Sequence, residues 1–327
     1  MSPKPYLQLV RLPNLFTAAA DSLAGWLLVS SPPAELWHWP PPANWLVFLL
    51  SPLRGPLGDL RHWPWLMLAS VCTYAGGVVL NDVFDLEVDR RERPSRPLPS
   101  GRVSRRFAAT LGVALLVLGV TAAWAASTRH GLSVSLVLTG CVIAYDAGVK
   151  RSVLGPELMG ACRGLNLLLG MSHAASLGGP ACWAVAAAYA TFVTGITWIS
   201  RSEVEPGAEV KPGVVAGVLL QNLAFLVYLA ACVHPELFPG HDPRLVPDRG
   251  GGPLFLLVWV LVVNRQTVPA ILSPRAEDVQ RAVSVCISAL VALHVGLLMN
   301  VNVSLGLLVL SALWLAAMVS SRWVYST

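Results

Sequence analysis

Residues 64–101 read PWLMLASVCTYAGGVVLNDVFDLEVDRRERPSRPLPSG, and this stretch sets the class of fold. Its first half, Pro64 to Leu80, has no charged side chain. With its flanks it makes an apolar run at 64–82, close to the roughly 20 residues a helix needs to cross a bilayer. Its second half is the opposite. Residues 81–106 hold 12 of the chain's 41 charged side chains, seven arginines and five acids, and all five acids lie between Asp82 and Glu92. Elsewhere charge is scarce: of 327 residues 55% are hydrophobic, only 13% are charged, and the formal net charge is +5. Mean hydropathy is +0.61. A soluble domain carries about 25% charged residues. A disordered chain and a water-soluble enzyme are therefore excluded. So is a nucleic-acid-binding domain, since the positive charge is small and dispersed. A multi-pass membrane protein remains.

Apolar runs of spanning length fall at 12–30, 64–82, 106–128, 131–149, 157–177, 181–200, 213–233, 252–271, 279–300 and 303–321. The expected architecture is an all-α membrane bundle of nine to ten transmembrane helices in one domain over 1–327. The eighth run decides between nine and ten, because Asn264, Arg265 and Gln266 lie near its end. A Pro- and Trp-rich insertion at 31–62 reads as an interfacial or re-entrant loop, and the Pro/Gly-rich 234–250 as a solvated connection. With the N-terminus inside, alternate loops collect Lys4 and Arg11, the arginines from Arg90 to Arg106, Lys150 and Arg151, Arg201 and Lys211, then Arg265, Arg275 and Arg281. The opposite loops carry far fewer, so the positive-inside rule puts both termini in the cytoplasm for ten spans. The plasma (bacterial inner) membrane is the expected location. Loops 82–105, 147–156 and 201–212 then share one side and can converge over a single cavity. The six cysteines form no C-x-x-C pair, and the seven histidines have no metal-ligand spacing. His294, on an apolar helix, reads as a satisfied or cavity-facing side chain.

The cluster Asn81-Asp82-Val83-Phe84-Asp85-Leu86-Glu87-Val88-Asp89 places Asn81, Asp85 and Asp89 four residues apart, with Asp82 three before Asp85. On a continuous helix these four share one face. Carboxylates so placed repel and are costly to desolvate unless a cation sits among them. Hard oxygen donors without His or Cys suit Mg2+, which takes one or two carboxylates and shares its shell with phosphates and water. The competing reading is a solvated ion-pair patch neutralised by Arg90, Arg91 and Arg93. It accounts for the charge balance but not for the spacing or the asparagine.

Asn81-Asp82-x-x-Asp85-x-x-x-Asp89, followed by Arg93 and Arg96-Pro97-Leu98-Pro99-Ser100-Gly101, resembles the first signature of the UbiA superfamily of intramembrane prenyltransferases. Tyr145-Asp146-Ala147-Gly148-Val149-Lys150-Arg151 is similar to the family's Tyr-x-x-x-x-Lys-Arg element, and Asn14, after Arg11, also fits. The resemblance implies a helical bundle around a lipid-open cavity. There Mg2+ between two acidic motifs holds a prenyl diphosphate, diphosphate leaves, and the allylic cation alkylates an acceptor, often aromatic. It implies Asn81, Asp82, Asp85 and Asp89 as metal ligands. Asn14, Arg93, Arg96, Tyr145, Lys150 and Arg151 would bind substrate, and Asp85, Asp89, Lys150 and Arg163 are the candidate catalytic residues. For Lys150 and Arg151, membrane anchoring is the alternative role.

The second acidic motif of that family falls here at Ile199-Ser200-Arg201-Ser202-Glu203-Val204-Glu205-Pro206-Gly207-Ala208-Glu209, which contains no Asp. Glu203 is the expected remaining metal ligand, with Glu205 beside it, unless both only balance Arg201 and Lys211. Arg163, inside the fifth run, is an intramembrane charge and so a functional candidate, oriented towards a cavity or a partner. In prenyltransferases of carboxylated aromatics an Arg here is associated with the acceptor; a structural partnership with a cluster carboxylate is the alternative. Gly160 and Gly164 beside it permit close approach of a helix or ligand. Together with Gly155-Pro156, Met159-Gly160-x-x-Arg163-Gly164-Leu165-Asn166 and Arg201-x-Glu203 resemble the EboC-like branch, whose members belong to bacterial ebo clusters of secondary metabolism. Two functions stay open: a prenyltransferase acting on a prenyl diphosphate and a small aromatic or metabolite acceptor in the lipid, or a non-catalytic carrier on the same scaffold. The intact first motif favours the former and the thin second motif the latter. No nucleic-acid partner is expected.

Overall fold

Hydrocarbon offers no water to bond a free N–H or C=O, so an apolar run that crosses it must satisfy its backbone internally, as a helix. A computed structural model of the chain describes residues 3–30, 60–201, 212–238, 251–272, 276–301 and 305–325, and among them every regular element is helical. The helices are α1 (Lys4–Leu9), α2 (Leu12–Val29), α3 (Trp63–Phe84), α4 (Leu86–Glu92), α5 (Arg105–Ala125), α6 (Gly131–Ala147), α7 (Gly155–Gly170), α8 (Pro180–Arg201), α9 (Pro212–Val233), α10 (Gly251–Leu272), α11 (Ala276–Val301) and α12 (Leu305–Tyr325). All but α1 and α4 coincide with the ten expected runs. Seven are long and apolar enough to cross a membrane: α2, α3, α5, α8, α9, α10 and α11. Helix α6 and the Leu310–Ser320 part of α12 are apolar but shorter. Helix α7, with 16 residues, carries Glu157, Arg163 and Asn166. The chain is a multi-pass membrane protein. Most of the 31–62 insertion, Glu203, Glu205 and most of the 234–250 connection lie outside the described residues.

Consecutive long helices pack as neighbours from α3 and α5 round to α12, and α2 closes the ring by packing on both α12 and α3. Helix α2 also reaches α7 and α11. Its sequence explains this position. Ala18, Ala19, Ala20, Ala24 and Gly25 keep it thin, and every residue from Thr17 to Val29 is buried. Gly25 lies against the Leu167 carbonyl and Gly170 against the Ser22 carbonyl, so a side chain at either position would strike backbone and force α2 and α7 apart. Gly160 and Gly164 face the carbonyls of Ala190 and Ala186 on α8, so their close approach is to a helix. Outward-facing positions are apolar and exposed, among them Val117, Leu136, Leu226 and Leu261, which suits contact with lipid.

The doubtful eighth run is a full helix. Asn264 of α10 pairs reciprocally with Asn222 of α9, amide to amide at 2.9 and 3.0 Å, so its polar group is satisfied within the bundle. The turn-rich segment after α4 is held together by its own polar groups. Ser100 Oγ donates to Arg96 O at 2.6 Å, Arg102 bonds Ser100 Oγ and the Ser95 carbonyl, and Ser104 caps α5 by accepting from Phe107 N–H. Beneath it, Leu98 and Val103 join Leu9, Val79, Leu86 and Ala108 in a small core.

Candidate functional site

The acidic cluster sits where α3 passes into α4. Asp85 is the joint, with φ −91° and ψ 6°, yet the i to i−4 hydrogen bonds run through it from Asn81 to Arg93. The helical periodicity expected from sequence is therefore kept. Along the shared face the four side chains engage two different cations. Lys150 Nζ donates to Asn81 Oδ1 and Asp85 Oδ2, both at 2.7 Å. Arg96 Nη1 lies 2.8 Å from Asp89 Oδ2 and 3.6 Å from Asp82 Oδ1. At ~100° per residue the four positions fall within an arc of about 100°, with Asn81 and Asp85 on one flank and Asp82 and Asp89 on the other. Arg11 adds a third contact, Nη2 to Asp82 Oδ1 at 3.3 Å. Arg11 has φ 49° and ψ 57° between α1 and α2, a left-handed conformation uncommon for a residue with a Cβ. Asp82 and Asp89 are buried, so these pairings replace water that the acids have lost.

Lys150 is held in place from behind. It lies in a single 3-10 turn, Val149–Arg151, whose Lys150 carbonyl accepts from Arg201 Nη2, while Arg201 Nη1 donates to Ser152 O at 2.9 Å. Arg201 thus ties the end of α8 to this turn. Arg151 is largely exposed, with Nη2 3.4 Å from Asp85 Oδ1.

Inward from the cluster is a cavity of about 180 Å³. Asn81, Asp146, Tyr145 and Arg11 line one end; Ser70, Tyr74, Arg163 and Asn166 line the other. Asp146 is buried, and no described residue pairs with its Oδ2. It also borders an apolar groove formed by α3, α5 and α6 through Leu80, Phe84, Val113 and Ile143. At the inner end Arg163 meets a carboxylate outside the cluster. Its Nη1 donates to Asp21 Oδ2 at 2.5 Å and its Nη2 to Thr17 Oγ1 at 2.9 Å, with Tyr74 under the guanidinium at 5.2 Å. Asp21 is fully buried and also accepts from Tyr189 Oη at 2.5 Å and Asn166 Nδ2 at 3.2 Å, with His294 Nε2 3.2 Å away. Four helices, α2, α7, α8 and α11, are thereby tied at one point.

The profile of the UbiA prenyltransferase family matches residues 40–263. The chain belongs to the UbiA prenyltransferase family. Its curated relatives include the digeranylgeranylglyceryl phosphate synthase of Saccharolobus solfataricus, 29% identical over 171 residues, or 52% of each chain. That of Methanoculleus marisnigri is 36% identical over 139 residues, 41% of this chain and 49% of the relative. The chain spans about half the length of these relatives. Among solved structures, a UbiA homolog from Aeropyrum pernix K1 superposes with a TM-score of 0.60 at 17% identity, covering 88% of this chain and 98% of that one. A structure of a digeranylgeranylglyceryl phosphate synthase in membranes gives 0.56 at 19%, covering 90% and 98%. At these identities the superpositions speak for the fold.

In this UbiA chain, Asn81, Asp82, Asp85, Asp89, Arg96, Lys150 and Arg151 gather in one charged rim, and Tyr145 and Arg163 line the cavity below it. Asn14 does not line that cavity; its carbonyl accepts from Thr17 Oγ1. Arg93 is exposed and makes no ion pair among the described residues. Arg163 pairs with Asp21, not with a cluster carboxylate. His294 is buried and satisfied, as its setting suggested. No three carboxylate, His or Cys side chains converge as a protein-only metal site among the described residues. Donors such as Asp85 and Asn81 fit a hard cation that takes few protein ligands and completes its shell with phosphate oxygens and water. Sequence reasoning passed over Asp21, Arg11, Tyr189 and Asp146. A signal for Asp21 existed: it is the one charged residue between Leu12 and Ser30.

Proposed function

We propose that this protein is an intramembrane prenyltransferase that moves a prenyl group from a prenyl diphosphate to a small acceptor, aromatic or of another kind, with Mg2+ as cofactor. The observation that carries this reading is the rim itself. Carboxylates and cations alternate over a cavity, and Asp146 lines both that cavity and an apolar groove. Asn81, Asp82, Asp85 and Asp89 would hold the metal, with Glu203 as the remaining protein ligand. When bound, Mg2+ neutralises oxygens of the leaving diphosphate. Lys150, Arg96, Arg93 and Arg151 bind the same group by charge-assisted hydrogen bonds. As the prenyl C–O bond breaks, diphosphate departs with the electron pair, and the acceptor attacks the allylic carbon and gives up a proton. The apolar walls keep water from the cation. The groove beside Asp146 suits the prenyl tail. Gly155-Pro156, the Arg163 segment and Arg201-x-Glu203 support placing the reaction in an ebo-type secondary-metabolite pathway. The charge bias of the loops supports a cytoplasmic rim in the plasma membrane.

A second reading, a non-catalytic carrier of a metabolite precursor on the same scaffold, is favoured by one observation: residues 199–209 contain no Asp. One experiment separates the two. Protein purified in detergent is given Mg2+ and farnesyl or geranylgeranyl diphosphate, and binding and diphosphate release are followed. The transferase reading expects tight binding and release, both lost in Asp85→Ala. Binding without release in the presence of candidate acceptors favours the carrier. No binding of either diphosphate, with or without Mg2+, sinks the transferase reading.

A further inference from the structure

The inner end of the cavity has a chemistry of its own. Arg163 is the guanidinium there, and Asp21, fully buried, already takes it at 2.5 Å. The two charges of the pair cancel, and His294 Nε2 lies 3.2 Å from Asp21 Oδ1, the other oxygen from the Oδ2 that takes the guanidinium. An incoming carboxylate would bring a second anion next to Asp21, while Arg11, the other guanidinium lining the cavity, is already held by Asp82, a costly arrangement out of water. Asn166 makes the same demand in hydrogen-bonding terms. Its Nδ2 is committed to Ala18 O at 3.0 Å and Asp21 Oδ2, which fixes the orientation of the amide. Its Oδ1 is an acceptor that no described residue meets, on a side chain only 5% exposed that lines the cavity. An ionised carboxylate has no donor to offer it, whereas a hydroxyl has both a donor and an acceptor. The acceptor half suits Arg163, whose described hydrogen bonds use two of its five N–H groups. Ser70 Oγ donates to Ala18 O and so offers a further oxygen acceptor at this end. The volume of about 180 Å³ is near the roughly 150 Å³ cavity that accommodates a benzene ring.

We infer that the acceptor bound here is an uncharged, ring-sized alcohol or phenol whose hydroxyl bridges Asn166 Oδ1 and Arg163, and that carboxylated acceptors are rejected. This rests on the transferase reading and departs from the role that the family resemblance suggests for Arg163.

The test uses a matched pair of probes, 4-hydroxybenzyl alcohol and 4-hydroxybenzoate, titrated calorimetrically into the intact protein in detergent. Mg2+ and farnesyl S-thiolodiphosphate are present, so that the donor site is filled without turnover. The alcohol binds at least tenfold more tightly, and Asn166→Leu lowers its affinity at least tenfold while leaving thiolodiphosphate binding in place. Asp21→Asn, which leaves Arg163 with uncompensated charge, shifts the preference towards the benzoate. If Asp21→Asn fails to fold, the two probes on the unaltered protein still decide. Equal or tighter binding of the benzoate, or binding of neither probe while thiolodiphosphate binds, overturns the inference and spares the transferase reading. Failure of thiolodiphosphate itself to bind removes both.

Discussion

Asp21 is the one charged residue in its apolar run and Arg163 the one basic residue in its own, and each would be an intolerable charge without the other. Breaking a buried pair from one side leaves a bare charge in low dielectric, at a cost of about 3–5 kcal/mol. Arg163→Ala is therefore expected to destabilise the protein by that order, read as a lowered unfolding midpoint in detergent. Adding Asp21→Asn to it recovers part of the loss. Under the proposed reading, diphosphate binding by the folded fraction is unchanged, since the rim is built from other residues. The same logic shows what the sequence held. A lone acid in one span and a lone base in another signal a pair by scarcity alone, and only Arg163 was singled out because Asp21 lies outside any motif. The spacing of Asn81, Asp82, Asp85 and Asp89 was legible because helical periodicity survives the joint at Asp85. Their partners were not, because Arg11, Arg96 and Lys150 arrive from three separate segments whose meeting depends on the whole bundle.

At the scale of elements, the ten long helices follow the ten apolar runs closely, since length and hydropathy alone dictate a helix in hydrocarbon. What composition does not encode is adjacency. Helix α2 lies between α3, α7, α11 and α12 because small residues let backbones touch, and the tightest contact joins Gly25 and Gly170 to the opposing chains. Gly170→Val inserts a branched side chain against the Ser22 carbonyl. Overpacking of this kind costs about 1–3 kcal/mol. The expected result is a lower unfolding midpoint together with weaker ligand binding, because α2 and α7 carry Asp21, Arg163 and Asn166. An unchanged midpoint would mean that the two helices are not in contact there. The eighth run shows a different limit of sequence reading. Asn264 counts against a span when taken alone and becomes neutral once Asn222 meets it, and that pairing is visible only in three dimensions.

For the whole molecule, we propose that all ten long helices span; both ends of the chain then lie on one side, and the charge bias of the loops assigns that side to the cytoplasm. Reporter fusions check this: green fluorescent protein fluoresces at either terminus, and alkaline phosphatase stays inactive at both. An active C-terminal phosphatase would mean an odd number of crossings. The rim has a further consequence at this scale. Lys150 is paired with Asp85 and Asn81, and Arg96 with Asp89 and Asp82, so the acids and bases of the rim neutralise one another. A cation arriving alone must displace Lys150 or Arg96 and leave it stranded, and a diphosphate arriving alone must strand the aspartates. When both arrive, each displaced group finds a new counterpart, and the exchange is nearly charge-neutral. Under the proposed reading, metal and substrate are therefore thermodynamically linked, each raising the other's affinity by the same factor.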